Sequence, residues 1–445
     1  MTEKIKVEHV AFSDIDGGAA RAAYRVHQAL INNELNELLI SRMRVIRKLS
    51  DDPSVTGGPA NDNYVRFFAQ RVLNKFSRKI YSIRNGNKNI YSTAWPSSGL
   101  GKELNFKFKK NQIDIVNLHW LGDYTLSIKE IGKLEMPLTW RLPDQWAFCG
   151  CEHYTEFSNE SLKRNFKFKY QRGYGNSFSN FWSLNINDYS WNLKMKNWHK
   201  PINIIAPSNW IAECAKKSKI FKDSFISVIP TPIDLEKWKP INKKNARQKL
   251  FLSNEKKLIL FGAIGGLSDK RKGGDLLIEI LKKIKDENIN DLSSDYEVVV
   301  LGEKNEEINI PGNIKTHLVG KINNDKTLAL YYSACDIFVL PSRQDNLPGT
   351  GLEALACGLP VAAFDIGGLS DIVDHRINGV LAPPFDCNFL ASEINWMFND
   401  KERLRELSLN CRLKAQRLWS QKRVSDLYYD HYLTIIDKAK KGVKI

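Results

Sequence analysis

"DIFVLPSRQDNLPGTGLEALACGLPVAAFD", residues 336–365, holds a strand, a turn, a helix and a second strand in thirty residues. Ile337 to Leu340 and Val361 to Phe364 are apolar without alternation, which suits strands covered on both faces. Pro341, Pro348 and the glycines at 349 and 351 punctuate the turn, and a run of small residues and leucines follows as a short helix. Strand, helix and strand in that order make a parallel crossover unit.

The same alternation extends in both directions. Upstream in the same series lie "KLILFGA" (257–263), "YEVVVLG" (296–302) and "IKTHLVG" (314–320); an earlier series has "IKVEHVAF" (5–12), "ELLISRM" (37–43), "IDIVNLH" (113–119), "PLTWRL" (137–142) and "INIIAPS" (202–208). Two series of strands interleaved with amphipathic helices predict two doubly wound α/β domains. Between them, "ISVIPTPIDLEKWKPINKK" reads as a connector punctuated by Pro230, Pro232 and Pro240. Residues from Asn388 to about Lys440 read as helical, ending in a basic tail. The stretch 150–200, rich in aromatics and Asn, has the least regular pattern and reads as an insertion near a site.

At 445 residues the chain is long enough for two or three domains. No signal-peptide core or spanning-length apolar run appears, so the expected localisation is cytoplasmic. Seven scattered cysteines, with only Cys149 and Cys151 close together, read as reduced thiols filling cores, since zinc would need paired spacings. The net charge is +16, and residues 41–110 hold fifteen Lys and Arg against four acids. Within that span "YVRFFAQRVLNKFSRKIYSI" has helical apolar spacing with basic faces, which fits either a solvated surface helix or peripheral contact with an anionic membrane. No nucleic-acid motif accompanies the charge, so no nucleic-acid partner is expected.

Ligands of open parallel sheets bind beyond the carboxyl ends of the strands, so the strand-to-helix turns are the places to look. In "FSDIDGGAARAAYRVHQAL", Gly17 and Gly18 open a helix, where an anion is favoured. Asp14-Ile15-Asp16 fits a metal-binding Asp-x-Asp only formally, and no metal is expected. In "LILFGAIGGLSDKRKGGDLLIEIL", Lys270, Arg271 and Lys272 precede a helix without the spacing of an ATP-binding loop. In the opening stretch Thr350-Gly351-Leu352-Glu353 has the form of a capping box, which would occupy Glu353 with its own backbone. That reading leaves Asp345 and the glycines without a purpose. The alternative uses free N–H groups at Thr350 and Gly351 for a phosphate and Glu353 for a vicinal diol, the two halves of a nucleoside diphosphate. In "FDIGGLSDIVDHRINGVLAPPFD", Gly367 and Gly368 permit close approach, and Asn378-Gly379 signals a turn.

These residues together resemble family 4 retaining glycosyltransferases of the GT-B fold, in which two Rossmann-like domains face a central cleft. The likeness runs over residues 5 to 440 and includes "GGAARAAYRVHQAL", "IDIVNLHW", "INIIAPSNWIAECAKKSKIF", "VIPTPID", "KRKGGDLL" and an acid seven residues before the Glu of "EALACGLPV". "NLHW" and "WRLPDQWAFCGCEHY" are similar to the branch that builds cell-surface polysaccharides. The resemblance implies an acceptor-side domain over residues 1–230, a sugar-nucleotide domain over 231–420, and a final helix, 421–445, crossing back to the first.

It also implies roles. Glu353 would hold the ribose, Lys272 with Arg271 the diphosphate, and the backbone of Thr350 and Gly351 the distal phosphate. Asp345, where the family usually has Glu, would contact the transferred sugar, with Asn346, Leu347, Pro348 and Gly349 around it. Leu318 and Val319 would border the base, and Gly17 and Gly18 would approach the donor. Asp345, Lys272 and Glu353 are the expected catalytic set. The family often has Gly-Arg where this chain has Gly262-Ala263, and often His where it has Pro143; His119, Arg141 and His153 stand as alternative replacements, and the branch's "TGGCHY" becomes "CGCEHY". The implied activity is metal-independent, retaining transfer from a nucleotide sugar to a glycan or lipid-linked hydroxyl. The rival expectations are a catalytically degenerate glycan-binding or scaffold protein and a sugar-nucleotide epimerase.

Overall fold

The computed structural model describes residues 4–32, 37–58, 68–69, 72, 75, 92–95, 97–122, 124–155, 167–175, 185–262, 269–287, 295–302 and 314–441. It divides into two compact units, Met1–Thr231 with Lys422–Ile445, and Pro232–Gln421. Most of the basic segment at 64–83, much of the 150–200 stretch and the glycine-rich loop 263–268 lie outside the described residues.

The first unit is built on seven strands: β1 (Ile5–Ser13), β2 (Leu39–Arg47), β3 (Val55–Thr56), β4 (Ile115–Leu118), β5 (Leu138–Arg141), β6 (Asn203–Ala206) and β7 (Ile226–Val228). Their order is β3-β2-β1-β4-β5-β6-β7, and every pairing is parallel. The central strands are buried on both faces, their polar residues Glu8, His9, Asn117 and Arg141 included. Strand order reverses between β1 and β4, so the carboxyl ends of those two strands frame this sheet's binding position.

The helix Gln421–Lys440 packs Val424, Tyr428, Tyr432 and Ile435 into one apolar cluster with Ile5, Val7, Val26 and Ile115. Tyr432 Oη accepts a hydrogen bond from Asn117 Nδ2 at 2.7 Å, and His431 bonds Thr139 at 2.8 Å. Each of the buried side chains contributes about 1.5–3 kcal/mol of apolar burial. The last helix is therefore part of the first unit's own core.

The second unit holds β8 (Lys257–Gly262), β9 (Tyr296–Leu301), β10 (Lys315–Gly320), β11 (Ile337–Leu340), β12 (Val361–Phe364) and β13 (Gly379–Ala382), in the order β10-β9-β8-β11-β12-β13. This sheet is also parallel, and its order reverses between β8 and β11. Helices Cys387–Phe398 and Lys401–Trp419 follow the last strand.

One sequence reading is corrected. Residues 226–228, assigned to the connector, form the edge strand β7, because Pro230 and Pro232 follow the strand and leave its ladder bonds intact. Asn378 ends a turn, as the Asn-Gly pair signals, and Gly379 opens β13. All seven cysteines are buried and none is in a disulfide. Among the described residues no helix is long and apolar enough to cross a membrane.

Candidate functional site

In the second unit, the turn after β11 meets the short helical turn Lys270–Lys272. Arg343 N–H donates to the Arg271 carbonyl at 2.8 Å, and the Arg343 guanidinium bonds the Lys270 carbonyl and the Asp275 carboxylate, each at 2.7 Å. Gly273 lets the two segments close, since a Cβ there would lie 2.0 Å from the Pro341 carbonyl oxygen. On the other side Gly367, with φ +62°, packs its backbone against Asp345, and Gly368 N–H donates to the Asp345 carbonyl at 2.9 Å. Three turns at the carboxyl edge of the sheet thus converge on one residue.

That residue is Asp345. Its buried carboxylate accepts from Lys272 Nζ at 2.5 Å and lies 3.5 Å from Arg271 Nη1. Burial alone would push its carboxyl up, but Lys272 and Arg271, with bonds from Lys272 and Asn346 N–H, outweigh burial and hold it below the ordinary carboxylate value. The residues assigned to a sugar and to a diphosphate are therefore partners of each other.

The helix Gly349–Ala356 begins after Pro348, which supplies no side-chain cap. The capping-box reading of Thr350 and Glu353 does not hold: Thr350 is the second helical residue, and Glu353 Oε2, buried, accepts from the Tyr332 hydroxyl at 3.0 Å. The N–H of Gly351 is not available either, because it donates to the Pro348 carbonyl at 3.0 Å. The N–H groups of Gly349 and Thr350 precede the first intrahelical bond and retain the positive helix end. Asn346, Leu347 and Pro348 form the turn leading in. Leu318 and Val319 are half-buried at the carboxyl end of the edge strand β10, where the pairing with β9 shifts register.

In the first unit, Gly17 and Gly18 open the helix Gly18–Ile31 after β1, with open space where a Cβ would stand. Asp14 is spent on the fold, accepting N–H bonds from Leu49 at 3.0 Å and Ser50 at 2.8 Å, and Asp16 pairs with Arg47. Among the described residues no group of three or more His, Cys, Asp and Glu is placed to hold a metal.

After β4, His119 lines a small recess together with Trp120, Pro143, Asp144, Trp146 and His153. Its Nε2 lies 2.9 Å from His9 Nδ1, and its Nδ1 is buried without a partner among the described residues. Burial, the neighbouring His9 and Arg141 all press its pKa well below the ordinary value, so the ring is neutral near pH 7. His153 also lines the recess, but its nitrogens are engaged: Nδ1 with Asp144 Oδ2 at 2.6 Å, Nε2 with Ser92 Oγ at 2.8 Å. A Ser–His–Asp line of this form activates a nucleophile elsewhere. Here Ser92 is buried and absent from the lining, so the line fixes the ring.

Arg141 is buried, turned to Thr231 Oγ1 at 2.5 Å, and outside the lining. Of the three residues considered in place of Pro143, His119 alone lines the recess and keeps an unspent polar atom.

The sequence reading missed His9, Asp144, Tyr332 and Lys194. Lys194 is fully buried; it bonds the carbonyls of Trp146, Cys149 at 2.9 Å and Gly150 at 2.7 Å, and its ammonium lies 3.9 Å from the Trp146 ring centre. It thereby braces the wall of the recess. A lysine in a polar helix gives no sign of this in sequence.

Residues 242–414 match the family model for Glycosyl transferases group 1. Over 219 residues the chain is 30% identical to UDP-Gal:alpha-D-GlcNAc-diphosphoundecaprenol alpha-1,3-galactosyltransferase of Escherichia coli, a match covering 46% of this chain and 54% of that one. The chain spans about half or less of the length of the curated relatives it matches. Sucrose-phosphate synthase of Thermosynechococcus elongatus superposes with a TM-score of 0.63 at 17% identity, covering 98% of this chain and 100% of that one. Anabaena HepE in complex with UDP-glucose superposes at 0.59 and 15% identity, covering 97% and 100%. Two parallel-sheet Rossmann-like units give the chain the GT-B fold of glycosyltransferases, and residues 242–414 of its second unit are similar in sequence to the group 1 glycosyl transferases.

Proposed function

We propose that this protein transfers a sugar, with retention of configuration, from a nucleoside diphosphate sugar to a hydroxyl of a glycan or lipid-linked acceptor in surface polysaccharide synthesis. The observation that carries the proposal is the buried Asp345 held ionised by Lys272 and Arg271, beside a helix start that has Glu353 one turn in. In the second unit, Glu353 would take the ribose hydroxyls. Lys272, Arg271 and the first N–H groups of the helix Gly349–Ala356 would face the diphosphate.

Breaking the bond to the anomeric carbon leaves negative charge on the diphosphate. Fixed cations and N–H groups stabilise that charge without reorganising, and this removes the need for a metal ion. Asp345 keeps the two cations in place before the donor arrives and exchanges them for a contact with the sugar when it binds. The recess of the first unit would receive a ligand hydroxyl at His119. Two similarities support the reading: the Escherichia coli relative is named for galactosyl transfer from UDP-galactose to a diphosphoundecaprenol-linked sugar, and HepE was solved with UDP-glucose. Peripheral contact with an anionic inner-membrane surface fits such an acceptor and the net charge of +16.

The test is a thermal-shift screen of the purified chain against UDP-, GDP-, ADP- and dTDP-sugars, followed by turnover with the stabilising donor. Glu353→Ala and Lys272→Ala should each lower transfer by roughly 10²–10³-fold with native circular dichroism. Wild-type rates in both would remove the site. Donor-only product analysis separates transfer from epimerisation, and activity that persists in excess chelator supports the metal-free mechanism.

A further inference from the structure

Two buried histidines from neighbouring strands stand in direct contact at the first unit's switch point. His9 lies within β1, where it pairs with Asn117 of β4, and His119 follows β4 immediately. Their rings are 5.2 Å apart, with His9 Nδ1 and His119 Nε2 at 2.9 Å. Both side chains are almost wholly inaccessible, and the two outer nitrogens, His9 Nε2 and His119 Nδ1, have no partner among the described residues.

Counting protons constrains this pair. Two neutral imidazoles carry two N–H groups and two lone pairs. The contact between them uses one of each. One N–H and one lone pair therefore remain at the outer nitrogens, and which end holds the N–H depends on which ring donates at the contact. If His119 donates through Nε2, the spare N–H belongs to His9 Nε2, inside the sheet. If His9 donates through Nδ1, the spare N–H is His119 Nδ1. A buried N–H without an acceptor is rarer and costlier than an under-used lone pair. Of the two rings only His119 lines the recess, so only there can an incoming oxygen accept the spare N–H.

We infer that His9 is a positioning residue: its Nδ1–H donates to His119 Nε2, fixing His119 as an Nδ1–H donor to a hydroxyl oxygen of the ligand in the recess. The inference rests on the proposed reading of that recess as a ligand site. Burial and the neighbouring His27 lower the His9 pKa well below the ordinary histidine value, which keeps the pair neutral. The groups around it have the same effect or none: the His27 ring from the helix Gly18–Ile31 at 5.8 Å, Tyr432 from the last helix at 6.4 Å, and Arg141 from β5, whose charge also opposes protonation of His119.

The test is a long-range proton–nitrogen correlation spectrum of the full chain labelled with 15N-histidine at neutral pH, the two rings assigned from His9→Gln and His119→Gln spectra. In the wild type His119 should be protonated at Nδ1 and bare at Nε2. His9→Phe removes the donor and should give a mixture or the opposite tautomer, whereas His9→Gln, whose amide N–H can donate, should restore the wild-type pattern. A His119 protonated at Nε2 in the wild type overturns the inference, and so does a pattern unchanged in His9→Phe. Should His9→Phe fail to fold, the wild-type tautomer and the His9→Gln pattern decide.

In turnover with the donor that the thermal-shift screen selects, starting from UDP-glucose, His9→Phe should lower kcat by roughly 10–100-fold, the range seen when an orienting partner of a histidine is removed, with KM little changed. Full activity in His119→Ala would instead remove the reading of the recess, and the tautomer result would stand apart from it.

Discussion

At the carboxyl edge of the second unit's sheet, Asp345 is buried against two cations; at the same edge of the first unit's sheet, His9 and His119 are buried against each other and carry no charge. The first arrangement satisfies its charge from within, so an anionic ligand must exchange partner for partner. The second leaves a polar atom unspent, so a ligand gains a bond that nothing else supplied. Charge balance suits a site that grips a diphosphate and releases it, and an unspent neutral donor suits one that orients a hydroxyl.

Acid should separate the two units most. In the first unit burial lowers the His9 and His119 pKa well below the ordinary value, and lowers His27 and His431 to about 4, a nearby Asp52 only partly offsetting burial at His27. The unfolded rings take up protons near pH ~6.5, and the folded ones do so only far lower. Below that pH the unfolded state binds more protons, so the stabilisation is complete above about 6.5 and is lost as the pH falls, by up to about 1.4 kcal/mol per pH unit for each ring. Asp345 is depressed instead, so its contribution persists down to about pH 4 and is lost only as its own folded pKa is passed. Hydrogen exchange between pH 7 and 5, corrected for intrinsic rates, should show the first unit losing protection by several kcal/mol while peptides around 337–365 hold theirs. Equal loss in both units would end the contrast.

Next in size is the ion pair. Lys272→Met leaves the buried Asp345 carboxylate with the more distant Arg271 as its cation and should cost about 3 kcal/mol in urea unfolding of the second unit. The double variant Lys272→Met with Asp345→Leu should recover most of that loss, because the carboxylate goes with its partner. In the first unit His119→Phe removes no charge but leaves His9 Nδ1 without its partner, and should cost about 1–2 kcal/mol. A Lys272→Met cost as small as that of His119→Phe would show that the pair is not what holds Asp345.

Gly367→Ala addresses the backbone that frames Asp345. The new Cβ would stand 2.2 Å from the Asp345 carbonyl oxygen at a φ of +62°, and about 2 kcal/mol of destabilisation is expected from the conformation and the contact together. Gly18→Ala, where the Cβ meets nothing within 4 Å, is the control in the other unit and should be near neutral. Thermal denaturation of the two variants compares them directly.

The strands were legible in sequence wherever burial on both faces made an unbroken apolar run, as in 257–262 and 337–340. The edge strands β3 and β7 were not, because two or three residues carry no periodicity and prolines beside Val228 imitate a connector. At the site, the glycines at 367 and 368 and the acids at 345 and 353 were readable as residue types. Partnerships were not. That Lys272 pairs with Asp345 depends on two turns 73 residues apart, and that His9 meets His119 depends on β1 lying beside β4. Spacing along the chain contains neither fact. The capping-box pattern misled for a related reason: Thr350 and Glu353 have the right separation, but Pro348 starts the helix two residues early and Tyr332 claims the carboxylate.

Tyr332 gives the finest test, because Tyr332→Phe deletes one hydroxyl and keeps the ring against Trp238 and Phe338, whose centres lie 5.9 and 6.1 Å away. Its hydroxyl donates to Glu353 Oε2 at 3.0 Å, so the variant should lose about 1 kcal/mol of stability in urea unfolding. The direction of the binding change discriminates further. If Glu353 takes ribose hydroxyls from a fixed position, removing the Tyr332 bond loosens the carboxylate and weakens donor binding severalfold by calorimetry. Tighter donor binding in Tyr332→Phe would mean that Tyr332 competes with the ligand for Glu353. The second unit would then exchange an internal partner for a ligand at Glu353 as it does at Asp345, leaving His119 of the first unit as the site that gains a bond outright.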